Sequence, residues 1–305
     1  VLDFSFILYL IQNKSAYFPF NKWLKRRPKD LFMAILGVDA VSLRLTINKT
    51  MHGIYQDWSA ARSKGEKKFV VLIDPDKLRL RELEKVIDLA VMGGVDYFFI
   101  GGSLVVNDML DSVLKSIREK CPIPMVLFPG NSFQLSYRAD ALLFLSLISG
   151  RNAELLIGKH VVAAPFLKMS PLEIIPTGYM LIDGGIQTTV QYMSNTTPIP
   201  SNKEDIAVCT AMAGEMLGLK MMYLDAGSGA AKPVPSAMVE AVSGAINIPL
   251  IVGGGIKTPE KIAENLKSGA DIIVVGNAIE GRPELIVEMS AAFREFKPTS
   301  SSDAV

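Results

Sequence analysis

The chain has 305 residues, of which 49% are apolar and 21% charged, and its formal net charge is +1. This composition is typical of a globular protein and excludes a disordered, collagen-like or disulfide-rich chain. A net charge so close to zero provides no long-range field to recruit nucleic acid. The two cysteines, Cys121 and Cys209, form no metal-ligand spacing and suit a reducing compartment. With only two histidines, His52 and His160, we expect no histidine-based metal site or catalytic triad. Any chemistry must therefore depend on carboxylates, backbone amides, lysines or a hard metal ion.

Residues 1–50 differ from the rest of the chain. They hold eight Lys/Arg and three Asp, whereas residues 51–305 hold 24 basic and 28 acidic residues. The apolar run 4–11 is much shorter than the roughly 20 residues of a membrane span. Basic residues follow this run, whereas in a signal peptide they precede it. Three interpretations stay open: upstream sequence translated in error, with Met33 or Met51 as the true start; a basic amphipathic membrane contact; or a structural extension. We expect this segment to add little to the fold, and residues 51–305 to form the folded domain.

Short apolar runs alternate with helical patterns from residue 69 onward. The runs are mostly apolar throughout, as is typical of parallel strands that are covered on both faces. The predicted strands are 69–73, 97–100, 125–128, 141–146, 178–182, 221–224, 250–252 and 272–275. The predicted helices are 79–92, 104–119, 152–169, 203–218, 235–245, 258–268 and 278–294. Thr258-Pro259-Glu260 supports one of these helix starts, because it places an N-cap before a proline in the first turn.

This alternation predicts an α/β fold, specifically a (β/α)8 TIM barrel. The third unit departs from the pattern, because residues 129–140 are too few for a full helix and its two loops. We therefore expect a reduced third helix. A doubly wound open sheet is the alternative. The barrel is favoured because the glycine-rich loops fall late in the chain, where barrels place their phosphate sites.

In a barrel the active site is built from the loops that follow the strands. Strand 1 is followed by Asp74-Pro75-Asp76-Lys77, whose two carboxylates suit a hard cation such as Mg²⁺ or, equally, a turn that caps the next helix. Strand 2 is followed by Gly101-Gly102-Ser103, where Ser103 either caps a helix or offers its hydroxyl to the metal. The polar loop 183–189 is a candidate lid or groove wall. Residues 128–131 and 141–148 fit either the wall of an apolar cleft or ordinary core.

Three later loops predict a phosphate site. Residues 223–230 read Tyr-Leu-Asp-Ala-Gly-Ser-Gly-Ala, a carboxylate followed by small residues that can present consecutive N–H groups to an anion. Strand 7 is followed by Gly253-Gly254-Gly255-Ile256-Lys257, and strand 8 by Gly276-Asn277 at a helix start. Together these form a cradle of backbone amides and a helix dipole. Lys257 is either a counter-charge to the phosphate or a solvated helix residue, and we favour the second interpretation.

These five motifs, in this order between residues 51 and 295, resemble the geranylgeranylglyceryl phosphate synthase family, which includes bacterial heptaprenylglyceryl phosphate synthases. The sequence Asp-Ala-Gly-Ser-Gly is similar to the second group of that family, with archaeal and Bacteroidetes members. The resemblance implies a TIM barrel whose third helix is replaced. It also implies a Mg²⁺-dependent prenyltransferase of lipid biosynthesis, which joins sn-glycerol 1-phosphate to geranylgeranyl diphosphate through an ether bond and releases diphosphate. A cytoplasmic homo-oligomer that contacts the membrane surface is the corresponding expectation.

The resemblance also assigns residues by motif. Asp74 and Ser103 would hold the Mg²⁺. Glycerol 1-phosphate would be bound by Tyr223, Leu224, Asp225, Ala226, Gly227, Ser228, Gly254, Gly255, Gly276 and Asn277. Asp225 is our candidate to orient or deprotonate the attacking hydroxyl, and Tyr223 to hydrogen-bond the glycerol. Two positions depart from the family: Leu72 stands where first-group members have a lysine that contacts glycerol phosphate, and Asp225 stands where many members have glutamate.

Two other functions stay open. One is a different phosphate-binding barrel enzyme, such as a sugar-phosphate isomerase or epimerase, although paired acid and base groups are sparse here. The other is a non-catalytic barrel that binds phosphate ligands or assembles a larger complex. A requirement for Mg²⁺ and an apolar co-substrate distinguishes the prenyltransferase from both.

Overall fold

The computed structural model describes residues 53–77, 80–103, 109–131 and 134–296. These residues form a closed barrel of eight parallel strands in sequential order, in which β1 also pairs with β8. The chain divides between Thr50 and Met51, and the division into an extension and a barrel domain stays a prediction because residues 1–50 lie outside the described part.

Helices separate most of the strands along the chain. The strands are β1 Lys68–Ile73, β2 Tyr97–Ile100, β3 Met125–Leu127, β4 Ala141–Leu147, β5 Glu173–Leu181, β6 Met221–Asp225, β7 Leu250–Gly253 and β8 Ile272–Val275. The helices are α1 Ile54–Ser63, α2 Leu80–Gly93, α3 Leu110–Lys120, α4 Lys159–Lys168, α5 Thr189–Ser194, α6 Glu204–Met216, α7 Ser236–Ala245, α8 Pro259–Lys267, α9 Asn277–Gly281 and α10 Leu285–Glu295. A short π-helix, Glu154–Gly158, leads directly into α4.

The strands are apolar throughout because both of their faces are buried. In β1, Val70 belongs to the cluster that fills the barrel interior. Its neighbours Phe69 and Val71 belong to the second cluster, which lies between the strands and the surrounding helices. Successive side chains of a strand point to opposite faces, so each strand contributes to both clusters. This confirms the predicted TIM barrel.

Helix α1, which the sequence patterns did not predict, covers the amino-terminal end of the barrel. Trp58 is 1% exposed, and its ring meets the edge of Tyr97 at 5.3 Å and lies 6.0 Å from Phe99. The backbone N–H of Tyr55 donates to Glu173 Oε1 at 3.0 Å, which ties the helix start to the first residue of β5. The opposite end of the barrel is left for the site.

The third unit is reduced, as expected. The described residues between β3 and β4, 128–131 and 134–140, contain no helix. The predicted last helix is corrected in one respect, because it is two helices that separate around Pro283. Residues 104–108, where the second predicted helix was to begin, lie outside the described part. Among the described helices, none combines the length and apolar character that crossing a membrane requires.

Candidate active site

The carboxyl ends of the strands surround a cavity of about 410 Å³. Most of the predicted site residues line it: Asp74, Ser103, Tyr223, Asp225, Gly227, Ser228, Gly254, Gly255, Gly276 and Asn277. Leu224 and Ala226 do not line it, because their side chains are buried in the cluster beneath the helices. Any contact that these two make with a ligand in the cavity would have to come from their backbone.

Asp74 ends β1 in a tight turn at the cavity wall. Its Oδ1 accepts a hydrogen bond of 3.1 Å from the backbone N–H of Asp76. Its Oδ2 faces Gly102, where a Cβ atom would lie only 2.5 Å away. Burial raises the pKa of Asp74, while the hydrogen bond from Asp76 and the nearby Lys77 ammonium oppose this rise. The turn that the sequence offered as one alternative is therefore present, and the metal site at Asp74 stays a prediction.

A single carboxylate and the Ser103 hydroxyl form a small donor set for a metal. The described residues contain no cluster of three or more His, Cys, Asp or Glu side chains that could hold an ion. Mg²⁺ retains several waters and is commonly bound by one or two carboxylates together with substrate phosphates. The residues present therefore fit Mg²⁺ that arrives with a diphosphate.

Asp225 is the most constrained carboxylate of the site. Its Oδ2 accepts a hydrogen bond of 2.6 Å from the Tyr179 hydroxyl, and its Oδ1 accepts one of 2.7 Å from the backbone N–H of Gly227. Burial raises the pKa of Asp225, whereas both hydrogen bonds lower it. Since each carboxylate oxygen has a second lone pair, the group can still accept a substrate hydroxyl. Asp225 also fixes the turn that begins the small-residue loop.

Two aromatic residues lie on the cavity floor, Phe128 and Tyr179. The sequence left Phe128 open between a cleft wall and core, and it did not indicate Tyr179. The ring of Phe128 stacks on Tyr223 at 5.3 Å and lies 5.9 Å from Tyr179. Tyr179 stands opposite Tyr223 in the pairing of β5 with β6. A strand that is buried on both faces shows no alternation, so nothing in the sequence indicated that Tyr179 points inward.

The predicted phosphate loops meet at one side of the cavity. A Cβ atom on Gly254, whose φ is +76°, would lie 2.3 Å from Asp225 Oδ1 and 2.7 Å from the backbone nitrogen of Gly227. Only glycine allows this approach of the strand 7 loop to the strand 6 loop. Ser228 Oγ donates to Asn277 Oδ1 at 2.6 Å and connects the strand 6 loop to the start of α9. Because α9 has five residues, its dipole is weaker than the long helix predicted from sequence would provide.

A second, largely apolar cavity of about 210 Å³ adjoins the first. Gly102, Ser103, Phe128 and Tyr179 line both cavities. The second runs between β4 and α4, and the side chains that make it apolar include Leu142, Leu143, Phe144, Leu145, Leu147, Leu155, Ala163 and Leu167. The segments that could form either a cleft or core therefore form a cleft. Val190 and Met193 of α5 close one side of it, whereas only Thr189 of the loop 183–189 lines the first cavity.

The chain is similar to a well-defined set of proteins. The model of the PcrB family matches residues 62–295. The chain belongs to the PcrB family. It is 55% identical over 249 residues to the geranylgeranylglyceryl phosphate synthase of Chitinophaga pinensis, covering 81% of this chain and 99% of that one. It is 42% identical over 217 residues to the enzyme of the same name from Pyrococcus abyssi, covering 71% and 85%.

A solved structure of 31% sequence identity has the same fold. It is (S)-3-O-geranylgeranylglyceryl phosphate synthase from Thermoplasma acidophilum, in complex with its substrate sn-glycerol-1-phosphate. The TM-score is 0.76 at 31% identity, covering 81% of this chain and all of that one. The family resemblance seen in the motifs is thereby confirmed, for a region that includes every predicted site residue.

Proposed function

We propose that this protein is a prenyltransferase that joins sn-glycerol 1-phosphate to geranylgeranyl diphosphate and releases diphosphate, a reaction of ether lipid biosynthesis. The observation that carries this proposal is a junction between two cavities at Ser103, Phe128 and Tyr179. One cavity, called the polar cavity below, is lined by charged side chains and glycines, and the other is an apolar groove. A reaction between a small phosphate ester and a long apolar diphosphate needs both compartments and a shared boundary. The names of the relatives support the same conclusion.

The glycerol phosphate belongs in the polar cavity, with its phosphate between the strand 6, 7 and 8 loops. Glycines at 227, 229, 254 and 255 adopt positive φ and leave no side chain between their backbone and the cavity. Fixing the phosphate there restricts where the glycerol hydroxyls can lie. Positioning of this kind lowers the entropic barrier of a two-substrate reaction.

Asp225 lies on the floor below this loop region and is our candidate to orient the attacking hydroxyl. Its raised pKa makes it a better proton acceptor than an exposed aspartate would be. The ether bond forms between the hydroxyl oxygen of glycerol phosphate and the allylic carbon, while the bond from that carbon to diphosphate breaks. The hydroxyl proton leaves towards Asp225 or water.

The prenyl chain belongs in the apolar groove. Burying hydrocarbon contributes roughly 0.8 kcal/mol per CH₂, so a long chain gains much of its affinity there. With the tail in the groove, the diphosphate end would lie at the shared boundary, near Asp74 and Ser103. These two residues would hold Mg²⁺, which when bound neutralises the charge that develops on the leaving diphosphate.

The experiment is incubation of the purified full-length chain with labelled sn-glycerol 1-phosphate, Mg²⁺ and a panel of prenyl diphosphates. A labelled product that partitions into organic solvent supports the transferase and ranks chain lengths. We expect Asp74→Ala to abolish turnover at every Mg²⁺ concentration. Full activity in that variant would refute the assignment of Asp74 as a metal ligand. Binding of glycerol 1-phosphate without any prenylated product would remove the reaction. Oligomeric state and membrane contact stay predictions.

A further inference from the structure

One lysine connects the strand 1 turn to the phosphate loops. Lys77 Nζ lies 3.2 Å from Ser228 Oγ and 3.3 Å from Asn277 Oδ1. It also lies 3.4 Å from both carboxylate oxygens of Glu280 and 3.5 Å from Asp74 Oδ2. Lys77 was part of the strand 1 motif, but no role was predicted for it. The structure places its ammonium at the mouth of the polar cavity.

The contacts of Lys77 are numerous and long. An ammonium group has three hydrogens to donate, yet five oxygen atoms surround this one. Charge-assisted hydrogen bonds to oxygen are typically about 2.7–2.9 Å, which is shorter than every distance here. The ammonium is therefore shared among acceptors without a close bond to any of them. An anion that enters the cavity can therefore accept hydrogen bonds from the Lys77 ammonium with little loss of existing bonds.

The acceptors around Lys77 would repel a phosphate if the lysine were absent. Ser228 donates its hydrogen to Asn277 Oδ1, so both residues present oxygen lone pairs to the cavity mouth. The carboxylates of Asp74 and Glu280 add negative charge at the same place. The Lys77 ammonium makes this edge compatible with an anion.

The side chain of β1 that faces the strand 8 loop from inside the barrel is apolar. It is Leu72, which packs against the backbone of Gly276, where a Cβ would lie 3.2 Å from Leu72 Cβ. Lys77 reaches the same region from the turn that follows the strand. Its contacts with Ser228 and Asn277 lie on the side of the predicted phosphate loops.

We propose that Lys77 is a binding residue for the phosphate of the glycerol phosphate substrate. The proposal rests on the proposed function and deepens it. A charged hydrogen bond at this half-exposed position predicts that Lys77→Gln weakens binding of sn-glycerol 1-phosphate by roughly 10- to 30-fold. Lys77→Arg keeps the charge and is expected to lose less.

The test is calorimetric titration of the full-length variants with sn-glycerol 1-phosphate, without metal or prenyl diphosphate. Lys85→Gln is the matched control, because Lys85 forms a comparable ion pair with Glu284 outside the cavity. We expect Lys85→Gln to bind like the wild type. Wild-type affinity in Lys77→Gln, or an equal loss in Lys77→Gln and Lys77→Arg, would overturn the proposal. Thermal unfolding of each variant establishes that it is folded.

Steady-state kinetics then separates the two substrates. Lys77→Gln is expected to raise KM for glycerol 1-phosphate and to leave KM for the prenyl diphosphate nearly unchanged. A rise in the second constant alone would assign Lys77 to diphosphate and overturn the proposal. If the wild type turns over and Lys77→Gln has the same KM for glycerol 1-phosphate, only the inference about Lys77 is refuted. A wild-type protein that binds glycerol phosphate but forms no prenylated product removes only the proposed reaction.

Discussion

Removing the Tyr179 hydroxyl would take away the hydrogen-bond donor of one oxygen of the buried Asp225 carboxylate. That hydroxyl donates to Asp225 Oδ2 at 2.6 Å, and both residues are only 6% exposed. Tyr179→Phe keeps the ring and its contacts with Phe128 and Tyr223. A hydrogen bond to a charged group contributes about 1.5–3 kcal/mol, and an unsatisfied buried acceptor is costly. We therefore expect Tyr179→Phe to lower the free energy of unfolding by about 1.5–3 kcal/mol at neutral pH.

The size of this loss should depend on pH. Burial raises the pKa of Asp225 above its ordinary value of 3.8, and the bond from Tyr179 opposes the rise. For an acid whose pKa is higher in the folded state, the stabilising contribution is complete below the unfolded pKa and is lost as pH rises through the folded pKa. Tyr179→Phe raises the folded pKa further. The difference between variant and wild type should therefore grow from acid to neutral pH.

The measurement is urea denaturation of both proteins at about pH 5 and about pH 7.5, followed by fluorescence. Tyr223→Phe is the control, because it removes the same atom from a neighbouring buried ring, while the hydrogen bonds that lower the pKa of Asp225 come from Tyr179 and Gly227. A loss of equal size at both pH values would refute the reasoning. So would a Tyr179→Phe variant no less stable than Tyr223→Phe at neutral pH.

Two further predictions concern the barrel floor and the phosphate loops. Trp58→Ala should lower the free energy of unfolding by about 3–5 kcal/mol, measured by urea denaturation, because it empties a packed site against Tyr97 and Phe99; a loss below about 1 kcal/mol would contradict this. Gly254→Ala should abolish measurable binding of sn-glycerol 1-phosphate in calorimetry, because its Cβ would meet fixed backbone atoms of the strand 6 loop. Gly244→Ala, in open space within α7, is the control and should bind normally.

The strands could be predicted from sequence because their burial is extreme. Runs such as 97–100 and 272–275 are buried along their whole length, so every residue in them is apolar. Such short apolar runs, alternating with helical patterns, are typical of strands in a parallel sheet. The reduced third unit could also be predicted, since the twelve residues 129–140 cannot hold a full helix and two loops. Helix α1 could not, because its composition is mixed and its buried residues, Ile54, Trp58 and Ala61, find their contacts only on the completed barrel.

The site also contains residues that could be predicted from the sequence and residues that could not. The order of motifs placed Asp74, Ser103, Asp225 and the glycine loops at the carboxyl ends of strands, because parallel strands in a barrel bring those ends together. The sequence did not indicate Tyr179 or the contacts of Lys77, and it left Phe128 open between a cleft wall and core. Each of these depends on a side-chain direction or on a distance between residues that are far apart in the chain, such as Lys77 and Asn277.

The fold class, the family and the loops that carry chemistry can be inferred from the sequence alone. These follow from local patterns: the period of apolar residues, the lengths of connections and the positions of glycine. The partner of each Asp225 oxygen, and the place where the apolar groove meets the polar cavity, are known only from the folded structure. Both depend on closure of the barrel, because closure sets the distances between segments that are far apart in the sequence. Local sequence patterns do not specify those distances.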